Sequence, residues 1–308
     1  MVQFVQLLGA LILLIASLSD LRKREVPDTI SYGSIALFGW FFVYKLLTNF
    51  SVSFLVNYLA SFALFFLIAL LLFYTNMWGG GDSKILIALS FLLPVYIRPF
   101  SITNLITSPA LVFMFNLILA SSAYSLVYIF IIAFLNRKKF LKAYSKLESD
   151  FERRFHHLKR FSMWLSISLL PLFILSFKFF KPILFWPVFL SFSSFFLIFF
   201  SAFAYLSFKA VESSILTRSV TPSELVEGDW ILDEIKDEHG QVVASPRDNG
   251  ISKPQIDRLK ALYKKKVIKF VRVKDGLPFI PGMLLAYLLL LFHINFLLIF
   301  ARVFIAKI

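Results

Sequence analysis

The sequence predicts an all-α polytopic membrane protein with about eight transmembrane helices and a small cytosolic α+β domain. Of its 308 residues, 59% are hydrophobic, whereas an ordinary soluble domain is about 45–50% apolar. These residues are concentrated in runs with almost no charge, and most runs reach the roughly 20 residues needed to cross a hydrocarbon core. The predicted spans are Leu7–Ser19, Ile30–Phe50, Phe54–Tyr74, Ile85–Tyr96, Ala110–Leu135, Met163–Phe177, Ile183–Phe208 and Pro278–Phe304.

The Lys and Arg residues predict how these spans are oriented. Cytoplasmic loops of membrane proteins carry an excess of both residues. If the loop after the first span is cytoplasmic and the spans alternate, most of the 32 Lys and Arg residues fall on the cytoplasmic side. Both termini are therefore predicted to lie outside the cell membrane. The short run Ile85–Tyr96 is counted as a span because omitting it would move the basic segment Arg137–Arg160 outside.

Residues 136–160 are predicted to form a basic cytosolic loop helix, because aromatic residues recur there at roughly helical spacing. The pattern is typical either of a helix near the lipid headgroups or of a solvated loop helix. Membrane lipid is thus a predicted partner. The net charge of +14 is assigned to cytoplasmic loops, and no nucleic-acid binding is predicted.

Residues 209–276 are predicted to form the small cytosolic domain. Trp230–Ile235 and Val267–Val273 have the composition of strands, and Ser252 followed by Gln255 is a capping box that opens a helix. The whole chain is predicted to comprise a catalytic transmembrane core, the loop helix, two further transmembrane helices, the small domain and a final transmembrane helix, at residues 1–135, 136–160, 161–208, 209–276 and 277–308 respectively.

Residues 1–135 contain four acidic residues, Asp20, Glu25, Asp28 and Asp82. Acids close to a bilayer are costly and usually functional. Glu25 lies among basic residues and is predicted to be a solvated surface charge. Asp28 precedes the second span, so it is predicted either to be the N-cap of that helix or to support the active site.

Asp20 and Asp82 are the candidate catalytic residues. Asp20 ends the first apolar run and Asp82 begins the fourth, so the predicted topology brings both to the cytoplasmic face. Two facing carboxylates that share a proton can hydrolyse an amide, because the ionised one activates water and the protonated one donates to the substrate.

The loop before Asp82 carries three consecutive glycines. Gly79 and Gly81 permit another part of the chain to approach closely, which supports an active-site loop. A phosphate site is the alternative for such a turn, but an aspartate at its end repels phosphate. Lys84 is predicted either to favour the ionised form of Asp82 or to anchor the helix at the headgroups.

The remaining residues do not favour thiol catalysis or a metal site. The sequence contains no cysteine, so it has no thiol nucleophile and no thiolate zinc site. His156 and His157 lie in the basic loop without a carboxylate at a metal-binding spacing. No metal and no cofactor are predicted.

Two motifs resemble those of the type IV prepilin and preflagellin (archaellin) peptidases, which are Gly-x-Gly-Asp aspartyl membrane peptidases. The first is Ser19–Arg22 with Arg24–Asp28, and the second is Gly79–Lys84. The segments Gly228–Trp230 and Gly276–Pro281 are similar to the archaeal branch, in which a small cytosolic domain precedes a final span.

The resemblance implies a fold of packed transmembrane helices and a catalytic function for Asp20 and Asp82. It also implies cleavage, at the cytoplasmic face, of short basic leader peptides from pilin-like or archaellin-like precursors that continue into a hydrophobic helix. Bacterial relatives often add N-methylation and a cysteine-rich zinc element. Because this chain has no cysteine, methyltransferase activity is not predicted.

Two other functions are compatible with the sequence. One is a proton-coupled transporter, in which paired acids relay protons, and the other is a catalytically inactive membrane scaffold. Transporters place such acids near the midplane and repeat a helix pattern in both halves, whereas Asp20 and Asp82 lie at the ends of apolar runs. These observations favour the peptidase, and they predict neither its precursor nor its oligomeric state.

Overall fold

The computed structural model describes residues 2–75, 77–151, 153, 200–201, 203–248 and 250–305. The chain divides into two compact units, which are described separately. The first comprises Met1–Tyr128, Pro222–Lys269 and Asp275–Ile308, and the second comprises Ile129–Thr221 and Phe270–Lys274.

The first unit begins with three long apolar helices. α1 begins at the amino terminus and ends in a basic turn, α2 follows Pro27, and α3 is capped by Ser51, whose hydroxyl accepts a hydrogen bond from Phe54 N at 3.0 Å. Each is long enough to cross a bilayer. Their bounds are Val2–Lys23, Asp28–Thr48 and Val52–Tyr74.

Three helices of unequal length follow. They are α4 (Gly80–Ser90), α5 (Ile102–Ile106) and α6 (Pro109–Leu135). α4 has 11 residues and is therefore about 17 Å long, which is shorter than a hydrocarbon core of about 30 Å. The span predicted at Ile85–Tyr96 is consequently not among the helices long enough to cross a membrane.

The second unit contains helical residues 137–151 (α7) and 203–214 (α8) and a strand, β1 (Thr217–Val220). The helix predicted in the basic loop is thus confirmed over 137–151, and residues 152 and 154–160 of that loop lie outside the described residues. β1 pairs antiparallel with a later strand, β5 (Val271–Lys274), in the register Thr217 with Lys274.

Residues 222–269 of the first unit contain three short strands and one helix. β3 and β4 are antiparallel and joined by a turn in which the Asp237 carboxylate accepts hydrogen bonds from His239 N and Gln241 N, both at 2.9 Å. The bounds are β2 (Trp230–Ile231), β3 (Ile235–Lys236), β4 (Val242–Ala244) and α9 (Lys253–Lys264), and β5 of the second unit follows at Val271–Lys274.

The capping box predicted at the start of α9 is confirmed. Ser252 N donates to Gln255 Oε1 at 2.9 Å, and Ile256, Leu259 and Leu262 form the buried face of the helix. The strand predicted at Trp230–Ile235 is shorter than expected and ends at Ile231. The cytosolic location of this region stays a prediction.

The last apolar run forms two helices, α10 (Ile280–Leu291) and α11 (Phe296–Ile305), which are bent by 66° at their break. His293 has a left-handed backbone there, with φ of 59°, and Asn116 Nδ2 of α6 donates to Ile294 O at 2.8 Å. The final span is therefore bent, where the sequence predicts one continuous run.

The described residues contain four helices long and apolar enough to cross a membrane, or five if the bent pair counts as one span. A polytopic membrane protein is confirmed, and the predicted count of about eight spans is not. The predicted span Met163–Phe177 and most of Ile183–Phe208 lie outside the described residues.

The core of the first unit packs α1 against α10, and α4 against α2 and α3. α1 and α10 approach closely at Gly9, where an added Cβ would lie 2.7 Å from the Tyr287 hydroxyl. Tyr287 is fully buried, and its hydroxyl donates to Gln6 O at 3.2 Å. This contact fixes α10 alongside the helix that carries Asp20.

Candidate active site

Asp20 lies in the last turn of α1, and only 5% of its surface is exposed. Its Oδ2 atom accepts a hydrogen bond from Ile280 N at 3.0 Å. Ile280 is the first residue of α10, where backbone N–H groups lack partners within the helix and the helix dipole favours a negative charge. The start of α10 therefore orients the Asp20 carboxylate.

Asp82 lies in the first turn of α4 and is held by its own loop. Its Oδ2 atom accepts a hydrogen bond from Gly79 N at 3.3 Å. The neighbouring hydroxyl, Ser83 Oγ, donates to Gly79 O at 3.2 Å. The arrangement resembles the acidic half of a capping box, and it fixes the carboxylate relative to the glycine turn.

The three glycines before Asp82 differ in the space around them. A Cβ on Gly81 would lie 2.9 Å from Val26 Cβ, whereas one on Gly80 would come no closer than 3.8 Å to Phe73. A Cβ on Gly79 would lie 3.7 Å from Asp82 Oδ2, an ordinary contact. Gly81 is thus the glycine that lets the Asp82 loop contact the segment after α1.

The structure brings the two candidate aspartates together. Asp20 and Asp82 are close enough to interact electrostatically, although they belong to different helices. The loop before Asp82 is also joined to the start of α10, because the rings of Trp78 and Phe279 pack with centroids 4.5 Å apart. Two carboxylates therefore share one site at the ends of α1 and α4.

Part of the chain resembles a known protein family. Residues 7–135 match the type IV leader peptidase family. The resemblance predicted from the two aspartate motifs is thereby confirmed, and the matched range, which we call the leader peptidase segment, contains both Asp20 and Asp82.

One curated relative of the chain is the preflagellin peptidase of Methanococcus maripaludis (strain C6 / ATCC BAA-1332). It is 34% identical over 100 residues, which are 32% of this chain and 42% of the relative. The chain thus spans less than half the length of the relative that it matches. No solved structure matches the chain.

Arg24 is a residue of the leader peptidase segment that the sequence did not single out. Its backbone is left-handed, with φ of 60°. Its guanidinium donates to Tyr128 Oη at 2.5 Å and to Gly276 O at 3.1 Å, and it interacts electrostatically with Asp20. Arg24 thus joins the end of α1 to α6 and to the chain leading into α10.

Tyr124 is a second residue that the sequence did not single out. Its ring contacts that of Tyr128 with centroids 5.8 Å apart, and its phenol interacts electrostatically with Asp20. Both tyrosines lie inside the apolar run of α6, and no pattern in that run tells which face meets the aspartates.

Lys84 and Asp28 form an ion pair with Nζ and Oδ1 2.6 Å apart. Lys84 Nζ also lies 4.2 Å from the ring centroid of Tyr32. The interpretation of Asp28 as an N-cap is wrong, because Pro27 occupies the cap of α2 and no side chain caps that helix. The pair instead links the starts of α2 and α4, next to Asp82.

Proposed function

We propose that the protein is an aspartic-type membrane endopeptidase that removes short basic leader peptides from type IV pilin-like or archaellin-like precursors. The observation that carries the proposal is that Asp20, at the end of α1, and Asp82, at the start of α4, are close enough to interact electrostatically. The match of residues 7–135 to the type IV leader peptidase family supports the choice of substrate.

The proposed reaction uses the two carboxyl groups in different protonation states. Two carboxylates that interact electrostatically favour a singly protonated pair, and the shared proton belongs to the pair. The ionised carboxylate takes a proton from water, whose oxygen attacks the carbonyl carbon of the peptide bond. The protonated carboxyl donates to the carbonyl oxygen and then, as the C–N bond breaks, a proton passes to the leaving nitrogen.

The surroundings of each carboxylate suit this chemistry. Ile280 N donates to one oxygen of Asp20 and Gly79 N to one oxygen of Asp82, so the backbone orients each carboxylate. Such preorganisation lowers the barrier because the reacting groups need no reordering during the reaction. Because one carboxyl group must be ionised and the other protonated, activity should show a bell-shaped pH profile.

We further propose that the site opens to the cytoplasm and that the amino terminus lies outside. The support is the set of basic residues that follow the first and third spans, Arg22, Lys23, Arg24 and Lys84, because cytoplasmic loops carry an excess of Lys and Arg. The predicted position of the carboxyl terminus depended on a span at Ile85–Tyr96, which is not among the described helices long enough to cross a membrane. The basic leader would then reach Asp20 and Asp82 from the cytoplasm, while the hydrophobic segment of the precursor stays in the bilayer.

The test is cleavage of a synthetic precursor, with a basic leader and a hydrophobic segment, by the full chain in lipid nanodiscs. The mass of the products reports the cut. Asp20→Asn and Asp82→Asn should each lower turnover by about 10²–10⁴-fold, because each removes one acid–base group. Glu25→Gln is the matched control, since Glu25 is an exposed acid between them in sequence. Near-normal turnover of either aspartate variant would contradict the proposal.

A further inference from the structure

One face of α6 presents a row of hydroxyl groups to the interior of the first unit. Ser121, Tyr124 and Tyr128 are spaced three and four positions apart and so lie on the same side of the helix. Tyr128 Oη accepts a hydrogen bond from Arg24. The hydroxyl oxygens of Ser121 and Tyr124 are buried and have no hydrogen-bond partner among the described residues.

A buried hydroxyl without a partner destabilises the folded protein, so each of these two groups requires an explanation. Packing explains Ser121. A Cβ added to Gly282 of α10 would collide with Ser121 Oγ, so Ser121 is confined at a close contact between α6 and α10. No such contact accounts for Tyr124.

The position of Tyr124 relates it to the two aspartates. Its phenol interacts electrostatically with Asp20 and with Arg24, and its ring packs on Tyr128, whose hydroxyl binds the same Arg24. The unpartnered hydroxyl therefore belongs to the surroundings of the Asp20 carboxylate and does not face the lipid.

A hydrogen-bond donor beside the two carboxylates can assist amide hydrolysis. Negative charge develops on the carbonyl oxygen as water attacks, and fixed donors aimed at that oxygen are usually the largest single source of rate acceleration. A peptide strand at membrane depth also needs partners for its backbone carbonyls, because lipid supplies none. A tyrosine hydroxyl can donate without giving up its proton.

We propose that Tyr124 is a third catalytic residue, whose hydroxyl donates a hydrogen bond to the carbonyl oxygen of the peptide bond that Asp20 and Asp82 hydrolyse. The inference rests on the proposed function. Tyr124 keeps its proton throughout: water supplies the oxygen of the new carboxyl group, and the proton on the leaving nitrogen comes through the two aspartates.

The test is Tyr124→Phe in the full chain, assayed with the same precursor. We expect kcat to fall about 10²-fold with KM nearly unchanged, because the lost interaction forms in the transition state. The temperature of unfolding should stay the same or rise, because the variant removes an unpaired buried hydroxyl. Tyr44→Phe is the matched control, because Tyr44 lies near the carboxyl-terminal end of α2, whereas Asp28 begins that helix. The loss of the Tyr44 hydroxyl should change neither kcat nor KM.

The outcomes separate this inference from the proposed function. If the wild-type protein and Tyr124→Phe cleave the precursor with the same kcat while Asp82→Asn does not cleave it, Tyr124 is no catalytic residue and the peptidase assignment stands. A fall in kcat together with a lower temperature of unfolding would show a structural function and overturn the inference. If the wild-type protein cleaves no precursor, both proposals fail.

Discussion

The two carboxylates of the candidate site are held in different ways. Asp20 accepts its hydrogen bond from Ile280 N, which is 260 positions away in the sequence, whereas Asp82 accepts from Gly79 N, three positions away. One half of the site is therefore assembled by tertiary packing, and the other half is formed by its own loop.

This difference determines which substitutions each half is sensitive to. The Asp20 half depends on contacts that hold α10 in place, including Arg24, which donates to Gly276 O just before that helix. The Asp82 half depends on the backbone of its glycine turn and on the room that Gly81 leaves beside Val26. Added bulk in the glycine turn should therefore displace Asp82. The loss of hydrogen bonds that hold α10 in place should displace Asp20.

Among the residues that hold the two carboxylates in place, the largest effect is expected from Gly81→Ala. Its Cβ would lie 2.9 Å from Val26 Cβ and 3.2 Å from Val26 O, so the Asp82 loop must move away from the end of α1. A displacement of about 1 Å in a catalytic group can cost about 10²-fold in rate, and we expect kcat to fall by that amount. Gly80→Ala is the matched control because its Cβ has room, and equal losses in both variants would contradict the steric explanation.

A smaller loss is expected from Arg24→Ala on the Asp20 half. The variant removes the hydrogen bonds to Tyr128 Oη and Gly276 O, and hydrogen bonds to charged groups contribute about 1.5–3 kcal/mol each. We expect a lower temperature of unfolding and a roughly 10-fold fall in kcat, since the chain leading to Ile280 loses an anchor.

Arg24→Lys distinguishes geometry from charge at this position. Lysine keeps the positive charge but lacks the planar fork that reaches two acceptors at once. If bridging matters, the lysine variant should resemble Arg24→Ala in both kcat and unfolding temperature. Recovery of wild-type kcat by lysine would instead show that Arg24 acts on Asp20 through its charge alone. Arg22→Ala is the control for the loss of one positive charge, because Arg22 is exposed.

The same comparison explains how much of the site the sequence could predict. The Asp82 loop is local, so three glycines before an aspartate were enough to identify it. The position of Asp20 at the end of an apolar run was also visible. Its hydrogen bond to Ile280 N was not, because no local pattern relates residues 260 positions apart. The hydrogen bonds of Arg24 to Tyr128 and Gly276 could not be predicted for the same reason.

The helices could likewise be predicted only in part from the sequence. Hydropathy identified the long spans, and the capping box at Ser252 located the start of α9. Hydropathy alone misjudged α4, which starts at Gly80 and ends at Ser90, before Pro94, a residue that interrupts helices. Tyr124 lies in an apolar run whose exposed and buried faces are decided by neighbouring helices, so its position beside Asp20 required the structure.

The smallest effect is expected from the ion pair between Lys84 and Asp28, although both residues lie in the range that matches the leader peptidase family. The side chain of Asp28 is 73% exposed and that of Lys84 is 28% exposed, and exposed ion pairs contribute about 0–1 kcal/mol. Lys84→Met and Asp28→Asn should each lower kcat by less than about threefold. The double variant should lose no more activity than Lys84→Met alone, because both substitutions break the same contact.

The difference in kcat between the wild-type protein and these variants should also shrink as salt rises, since exposed charges are screened within about 10 Å at 0.1 M. A loss in Lys84→Met as complete as that in Asp82→Asn, with Asp28→Asn still active, would mean that Lys84 acts on the Asp82 carboxylate directly and not through Asp28.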